Sequence, residues 1–316
     1  METNEEVEVG VNLNTVKRGS VIAYDDKHDK DDLVCPNHWL LKYANGCKYD
    51  CQYCNLHNTL RMRPMGMKPH LKNERVTAAD LKVALREIEE KTLFNTGQLG
   101  DSLVFLNSLV TNVVPIFENT LLKEYEPTNP HGHKMLIVTK DTNQKFITWG
   151  KCPNTAIMSY SINAKSIAQQ YEFDVAHPWD RIAAAKRAIA KGYEVRLRID
   201  PIMPVNRWDL AYYELIERIM QEIPEVTTIT LGFIVGTDKI VKACTKQDND
   251  ITWRWYTANG GDGLVLLKDR LQIYGHIIQW LRQFGYEGNI ALCKEPQSVW
   301  KELELDWENP KCNCVL

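Results

Sequence analysis

An ordered alternation of short apolar runs with helical patterns constrains the fold of this chain more than any other feature. Residues 38–44, 102–107, 135–140, 156–162, 195–202 and 227–233 have the length and apolar content of strands. Between them, residues 78–91, 113–125, 179–191 and 208–223 place apolar side chains every three or four positions, as in Ile182, Ala185, Ala188 and Ile189. The segment from Trp179 also has a stop signal, with Lys191 in its last turn and Gly192 just beyond. Strand, helix and strand repeated at this spacing imply parallel pairing through right-handed crossovers, hence an α/β barrel or an open doubly wound sheet. No G-x-G-x-x-G or G-x-x-x-x-G-K-[ST] follows any of these strands, so dinucleotide and P-loop folds lack their phosphate-cradling turn.

The chain has 316 residues, 44% hydrophobic and 25% charged, enough for one large or two modest globular domains. Thirty-eight Lys and Arg against 41 Asp and Glu give a net charge of -3. That balance excludes a surface basic throughout and leaves room for a local basic patch. The start, METNEEVEVGVNLN, is acidic and lacks a secretory leader, and no long uncharged apolar run suggests a membrane span. The expectation is a cytoplasmic, reducing setting in which the nine cysteines are thiols or metal ligands. Three regions are expected. Residues 1–34 form a polar arm, whose charge run from Asp25 to Asp32 reads as solvated; residues 35–240 form the α/β unit. Residues 241–316 form a C-terminal extension, with a helix at 264–283, a strand at 289–293 and a Cys-x-Cys tail.

Directly after the first strand candidate comes Cys47-x3-Cys51-x2-Cys54, a loop where α/β folds place active sites. Three thiolates so close in sequence can wrap one compact cluster. A four-iron cubane held by three cysteines keeps one iron open for a cofactor or substrate. The same residues with His57 also make a four-ligand zinc set, and a non-enzymatic zinc module is the rival outside the enzyme class.

Cys-x3-Cys-x-aromatic-Cys, with Tyr53 as the aromatic residue, resembles the signature of radical S-adenosylmethionine (SAM) enzymes. Within that superfamily the chain is similar to the spore photoproduct lyase family. The segments that carry the likeness are Tyr43-Ala44-Asn45-Gly46, Thr139-Lys140, Tyr160-Ser161-Ile162-Asn163, Arg181-Ile182, Gly192-Tyr193, Asp200-Pro201-Ile202-Met203-Pro204 and Leu292-Cys293-Lys294-Glu295 before Val299-Trp300. The resemblance implies a partial (β/α)6 TIM-type barrel with a C-terminal extension, and a [4Fe-4S] cluster on Cys47, Cys51 and Cys54 whose open iron chelates SAM. Reductive cleavage of SAM would give a 5'-deoxyadenosyl radical that abstracts hydrogen from a substrate, with a flavodoxin- or ferredoxin-type electron donor. Tyr53 would pack near the cofactor, and Lys140, Ser161 and Asn163 would help hold SAM.

The residues add their own reading. Lys140 ends a strand, so its ammonium belongs at the barrel mouth. Ser161 and Asn163 share one strand face, with Ile162 on the other. Arg196 and Arg198 alternate in the same way before Asp200, so Arg198 is either half of a buried ion pair or a clamp for the SAM carboxylate. The chain also departs from the family. It has no cysteine between Cys54 and Cys152, where the family keeps its hydrogen-donor cysteine, and Asn55 replaces a tyrosine. Residues 105–112 are the stretch expected to correspond. A related radical reaction on an unidentified substrate is therefore the leading expectation, and spore photoproduct repair with a relocated donor, Cys244 or Cys293, the alternative.

Cys312 and Cys314, with Cys293 and Cys35 upstream, are candidates for a second cluster, a zinc or a redox pair, or are incidental thiols. The basic stretch from Arg61 to Arg75 suits an anionic substrate or an ordinary loop, and nucleic acid stays open as a partner. Trp253, Arg254, Trp255 and Tyr256 either stack bases or pack on the barrel. His131 and His133 read as surface residues.

Overall fold

The computed structural model describes residues 20–25, 32–121 and 126–316. Most of the charge run at 25–32 and the acidic start lie outside the described residues. Eight strands form one sheet: β1 (Ile22–Asp25), β2 (His38–Leu41), β3 (Leu93–Asn95), β4 (Lys134–Thr139), β5 (Ala156–Ile162), β6 (Glu194–Ile202), β7 (Thr228–Phe233) and β8 (Asn289–Leu292). They lie side by side in chain order. β1 is antiparallel to β2, and every other neighbouring pair is parallel. Sequential order through helical crossovers is the wall of a barrel that stops short of closure, and among the described residues β1 and β8 are unpaired with each other. The α/β partial barrel is thus the fold, with residues 22–25 and 289–292 adding edge strands beyond the six expected.

The helices used below are α1 (Leu56–Thr59), α2 (Glu74–Glu87), α3 (Pro178–Ala190), α4 (Trp208–Glu222), α5 (Asp238–Thr245) and α6 (Leu267–Gln283). α3 shows how local sequence sets the bounds. Pro178 occupies the first turn, where a missing N–H costs nothing, and His177 Nδ1 accepts from Trp179 N. Gly192, at φ +81°, ends the helix in the left-handed region.

One expected strand is corrected. Residues 102–107 are turn and short helix, and the second parallel strand is Leu93–Asn95. The physical reason is Asp101, whose Oδ1 accepts from Leu103 N two residues on, an Asx turn that bends the chain before the apolar run can extend. Ser102 Oγ then accepts from Val138 N, so the run docks beside β4 without joining the sheet.

Register creates a polar lining inside the sheet. Ser159 and Ser161 of β5 lie opposite Arg196 and Arg198 of β6, which lie opposite Thr228 and Thr230 of β7. The intervening Tyr160, Leu197, Ile199, Ile229 and Leu231 are fully buried on the other face. This lining is filled by the chain's own tail. Asn313, wholly buried, accepts from Ser159 Oγ at 2.7 Å and donates through Nδ2 to Leu197 O and Thr230 Oγ1 at 2.8 and 2.7 Å. Arg196 Nη1 donates to the carbonyls of Cys312, Asn313 and Val315. The polar row is therefore satisfied from within, as buried polar groups must be.

Candidate active site

The cysteine loop is clamped on three sides. Gly46, at φ +83°, brings its backbone so near the Met67–Lys68 turn that a Cβ would lie 2.5 Å from Lys68 O. Gly100 packs equally closely on Gly46, where a Cβ would lie 2.2 Å from Gly46 O. Gly46 N donates to Leu99 O and Cys47 N to Met67 O. Asp50–Cys51 pairs antiparallel with Glu172–Phe173, and Gln52 is held through its carbonyl and Oε1 by Asn249 Nδ2 and Asp250 N.

Burial pushes the three thiols above the ordinary range, Cys54 to about 12. Backbone N–H groups act in the opposite sense: those of Tyr49 and Asp101 at Cys47, and that of Leu56 at Cys54. Sulfurs that are costly to ionise alone, yet receive N–H donors, suit thiolates neutralised by a cationic cluster. Among the described residues no three His, Cys, Asp or Glu side chains gather around one ion-sized point. His57, the fourth ligand of the zinc set, instead places Nε2 3.0 Å from Asn249 Nδ2.

Behind the loop a buried carboxylate joins three elements. Glu172 Oε1 accepts from Lys140 Nζ at 2.6 Å and from the Tyr53 hydroxyl, and Oε2 pairs with Arg181. Lys140 Nζ also donates to Tyr53 OH at 2.9 Å. Burial alone would raise the Glu172 carboxyl, but the Lys140 and Arg181 cations with the Lys140 and Tyr53 hydrogen bonds outweigh it and hold the pKa down at about 2. Asp101 sits nearby, half-buried. Burial lifts its pKa to about 6 although it accepts from Leu103 N, Lys140 N and Thr139 Oγ1.

A cavity of about 340 Å³ opens at the C-terminal ends of β6, β7 and β8. It reaches Tyr53 and Asn55, which flank Cys54, and on its far side meets Arg198, Asp200, Cys293 and Cys314. The structure thus brings Tyr53 and Arg198 to one space. Lys140, Ser161 and Asn163 do not line it. Lys140 is engaged with Glu172 and Tyr53. Asn163 Nδ2 donates to Pro201 O, and its Oδ1 accepts from Ala164 N. The Ser161 carbonyl accepts from Arg181 Nη1. Arg198 pairs with Asp200 at 3.6 Å. Cys293 lines the cavity, whereas Cys244 is buried on α5 and does not. His133 is buried too, its Nδ1 accepting from Thr92 N.

Glu172, Asp101, Gln98 and His38 belong to this region and were not singled out from the sequence. Glu172 is one acid between two aromatic residues in a connection, and nothing local marks it. Asp101 carries a weak signal, its place after Gly100 in a turn.

The family model described as Spore photoproduct lyase matches residues 15–255. The chain belongs to the spore photoproduct lyase family. It is accordingly an enzyme of the radical SAM class. A curated spore photoproduct lyase from Geobacillus sp. (strain Y412MC61) is 21% identical over 243 residues, covering 73% of this chain and 69% of that protein. Among solved structures, a cysteine-to-alanine mutant of spore photoproduct lyase with dinucleoside spore photoproduct matches with a TM-score of 0.67 and 17% identity, over 87% of this chain and 80% of that one. A double mutant with bound AdoMet and the same dinucleoside matches with a TM-score of 0.65 and 16% identity, over 80% and 75%. At these identities the structural likeness shows the fold, the partial barrel of the family.

Glu172→Gln should lower the unfolding free energy of the metal-free protein by about 3–5 kcal/mol, because it strands two buried cations. Since the folded pKa is depressed, this stabilisation is present above the ordinary value of 4.5 and fades as pH falls toward about 2. Urea unfolding at pH 7 and pH 3 checks both points: the variant's deficit should be smaller at pH 3.

Proposed function

We propose that this chain reductively cleaves SAM and uses the resulting radical to abstract hydrogen from a substrate in the cavity beside Tyr53 and Asn55. Cys47, Cys51 and Cys54 would hold a [4Fe-4S] cluster, with SAM as its partner. When bound, the cluster and SAM supply a 5'-deoxyadenosyl radical, given one electron from a flavodoxin- or ferredoxin-type donor. The observation that carries the reading is the clamped three-cysteine loop at the mouth of a barrel whose cavity begins at the residues flanking Cys54.

The chain's own residues divide the remaining work. Tyr53 presents its ring to the cavity while its hydroxyl is fixed by Glu172 and Lys140, so the loop keeps one orientation. Lys140 acts as a positioning residue through that contact, leaving Arg198, Arg270 and Lys294 as the cations that line the cavity. Asn163 and Ser161 hold the end of β5 against Pro201 and Arg181. Burial of these groups excludes water, which a carbon radical needs.

A nucleic-acid substrate, as in repair of a DNA photolesion with a relocated hydrogen donor, is favoured by one surface. A groove of about 770 Å³ beside the cysteine loop is lined by Arg61, Arg63, Lys68, Lys239, Lys242 and Lys246 and by no acid. Through Lys239 it continues to a second groove that carries Arg254 and Trp255 together with Asp238 and Asp262. Trp253 is wholly buried and packs the extension, whereas Trp255 is 64% exposed beneath the Arg254 guanidinium at 4.8 Å. Cations for phosphates followed by an exposed ring for a base suit a nucleic-acid strand despite the net charge of -3.

Anaerobic reconstitution should give about four irons per chain and, with SAM and dithionite, 5'-deoxyadenosine; both should be lost in Cys51→Ala. Zinc in place of iron, with no cleavage, would overturn the reading. For the groove, Lys239→Ala/Lys242→Ala should weaken binding of a fluorescent oligonucleotide and flatten its log K against log salt slope by about 1–2. An unchanged slope would remove nucleic acid from the groove.

A further inference from the structure

Away from the cysteine loop, the cavity meets a second gathering of metal-type ligands that the activity proposed above does not use. Cys35, His38, Cys293 and Cys314 all line it there. They come from three distant parts of the chain, and the fold delivers each of them. Leu33–Val34 pairs antiparallel with Glu295–Pro296, Val34 opposite Glu295, which sets Cys35 beside the end of β8 and within electrostatic reach of Cys293 and Cys314. Asn313 is hydrogen-bonded to β5, β6 and β7 and so fixes Cys314, the next residue. His38 opens β2, three residues after Cys35. Cys312 is buried but does not line the cavity, so the two tail cysteines part company.

The His38 imidazole is an independent sign of a ligand. The residue is 6% exposed, and its Nδ1 lies 3.2 Å from the Pro36 carbonyl, an oxygen that can only accept, so Nδ1 carries the proton. Nε2 therefore presents a lone pair. It is buried at the cavity wall and has no hydrogen-bond partner among the described residues. A backbone carbonyl that fixes one ring nitrogen is how a metal-ligating histidine is held, and a buried nitrogen left without a partner calls for one.

Charge agrees with this. Three thiolates and a divalent cation leave one negative charge, and the Arg198 guanidinium supplies one positive, reaching Cys293 Sγ at 3.6 Å and Cys314 Sγ at 3.9 Å. A metal-bound thiolate keeps lone pairs for such N–H groups, so Arg198 serves as the outer partner of both sulfurs. Three sulfurs and one imidazole nitrogen are a closed ligand set for zinc, and thiolates select such ions over magnesium or calcium. As they stand the four side chains do not meet at one ion-sized point. Loading draws them inward by side-chain rotation, which the positions of the three cysteines outside the eight strands permit.

We propose that Cys35, His38, Cys293 and Cys314 bind a zinc-class divalent ion that ties the segment before β2, the end of β8 and the C-terminal tail into the far wall of the cavity. The site shares no residue with the cysteine loop, so its failure and the failure of the radical reading are separate events.

The test uses the full chain carrying Cys47→Ala, Cys51→Ala and Cys54→Ala, which removes the loop as a competing site. Anaerobic titration with Co(II) should give a sulfur-to-cobalt charge-transfer band and the strong visible bands of a tetrahedral thiolate site, saturating at a single ion per chain, and zinc should displace both. Adding His38→Gln or Cys293→Ser should weaken binding at least about tenfold, the loss seen even for outer partners of a metal site. Cys152→Ser, at a buried thiol outside the cavity, should change nothing. Should the added substitutions disturb folding, peptide-mapped alkylation with the far site intact answers the same question: zinc should protect Cys35, Cys293 and Cys314 together and leave Cys152 and Cys244 at their metal-free rates. Absence of the tetrahedral cobalt spectrum, an affinity indifferent to either His38→Gln or Cys293→Ser, or zinc that leaves the three thiols unprotected would overturn the site.

Discussion

The Glu172 carboxylate is the interaction on which the rest of the site depends. It is buried, it faces two cations and a phenol, and it lies on the short strand that pairs with Cys51. One group therefore fixes the cysteine loop, the end of β4 through Lys140 and the start of α3 through Arg181. A buried ion pair is a poor source of stability against a well-packed apolar alternative, so its value here is geometric. It sets where the three sulfurs lie relative to the barrel mouth.

The same economy governs the barrel interior. An open parallel sheet exposes an inner face that a closed barrel would fill with apolar layers. In this chain that face is polar, from Ser159 through Arg196 to Thr230, and the tail around Asn313 satisfies it. The extension and the barrel are thus one hydrogen-bonded unit, and the cavity above Asn313 is walled by residues from both ends of the chain.

Periodicity made much of this legible. The runs that became β4 to β7 kept their bounds to within a residue, because both faces of each strand are buried and each run is long enough to show it. Residues 102–107 failed for a local reason, since hydrophobic content cannot see the Asx turn at Asp101, and Leu93–Asn95 is too short to announce itself. The cysteine loop was legible because its chemistry is carried by adjacent residues. Glu172 was not, because it acquires its meaning from Lys140 and Tyr53, partners far upstream in the chain. Lys140 was read as a cation free at the mouth, and its partner Glu172 could not be foreseen from either neighbourhood.

The central claim is that Cys47, Cys51 and Cys54 hold a cluster with one iron open to SAM. Electron paramagnetic resonance of the anaerobically reconstituted, dithionite-reduced protein, recorded with and without SAM, tests it most directly. The account predicts the signal of a reduced [4Fe-4S] cluster whose g values shift when SAM is added. A cluster signal that ignores SAM, or a protein with no such signal and a full complement of zinc, would contradict it.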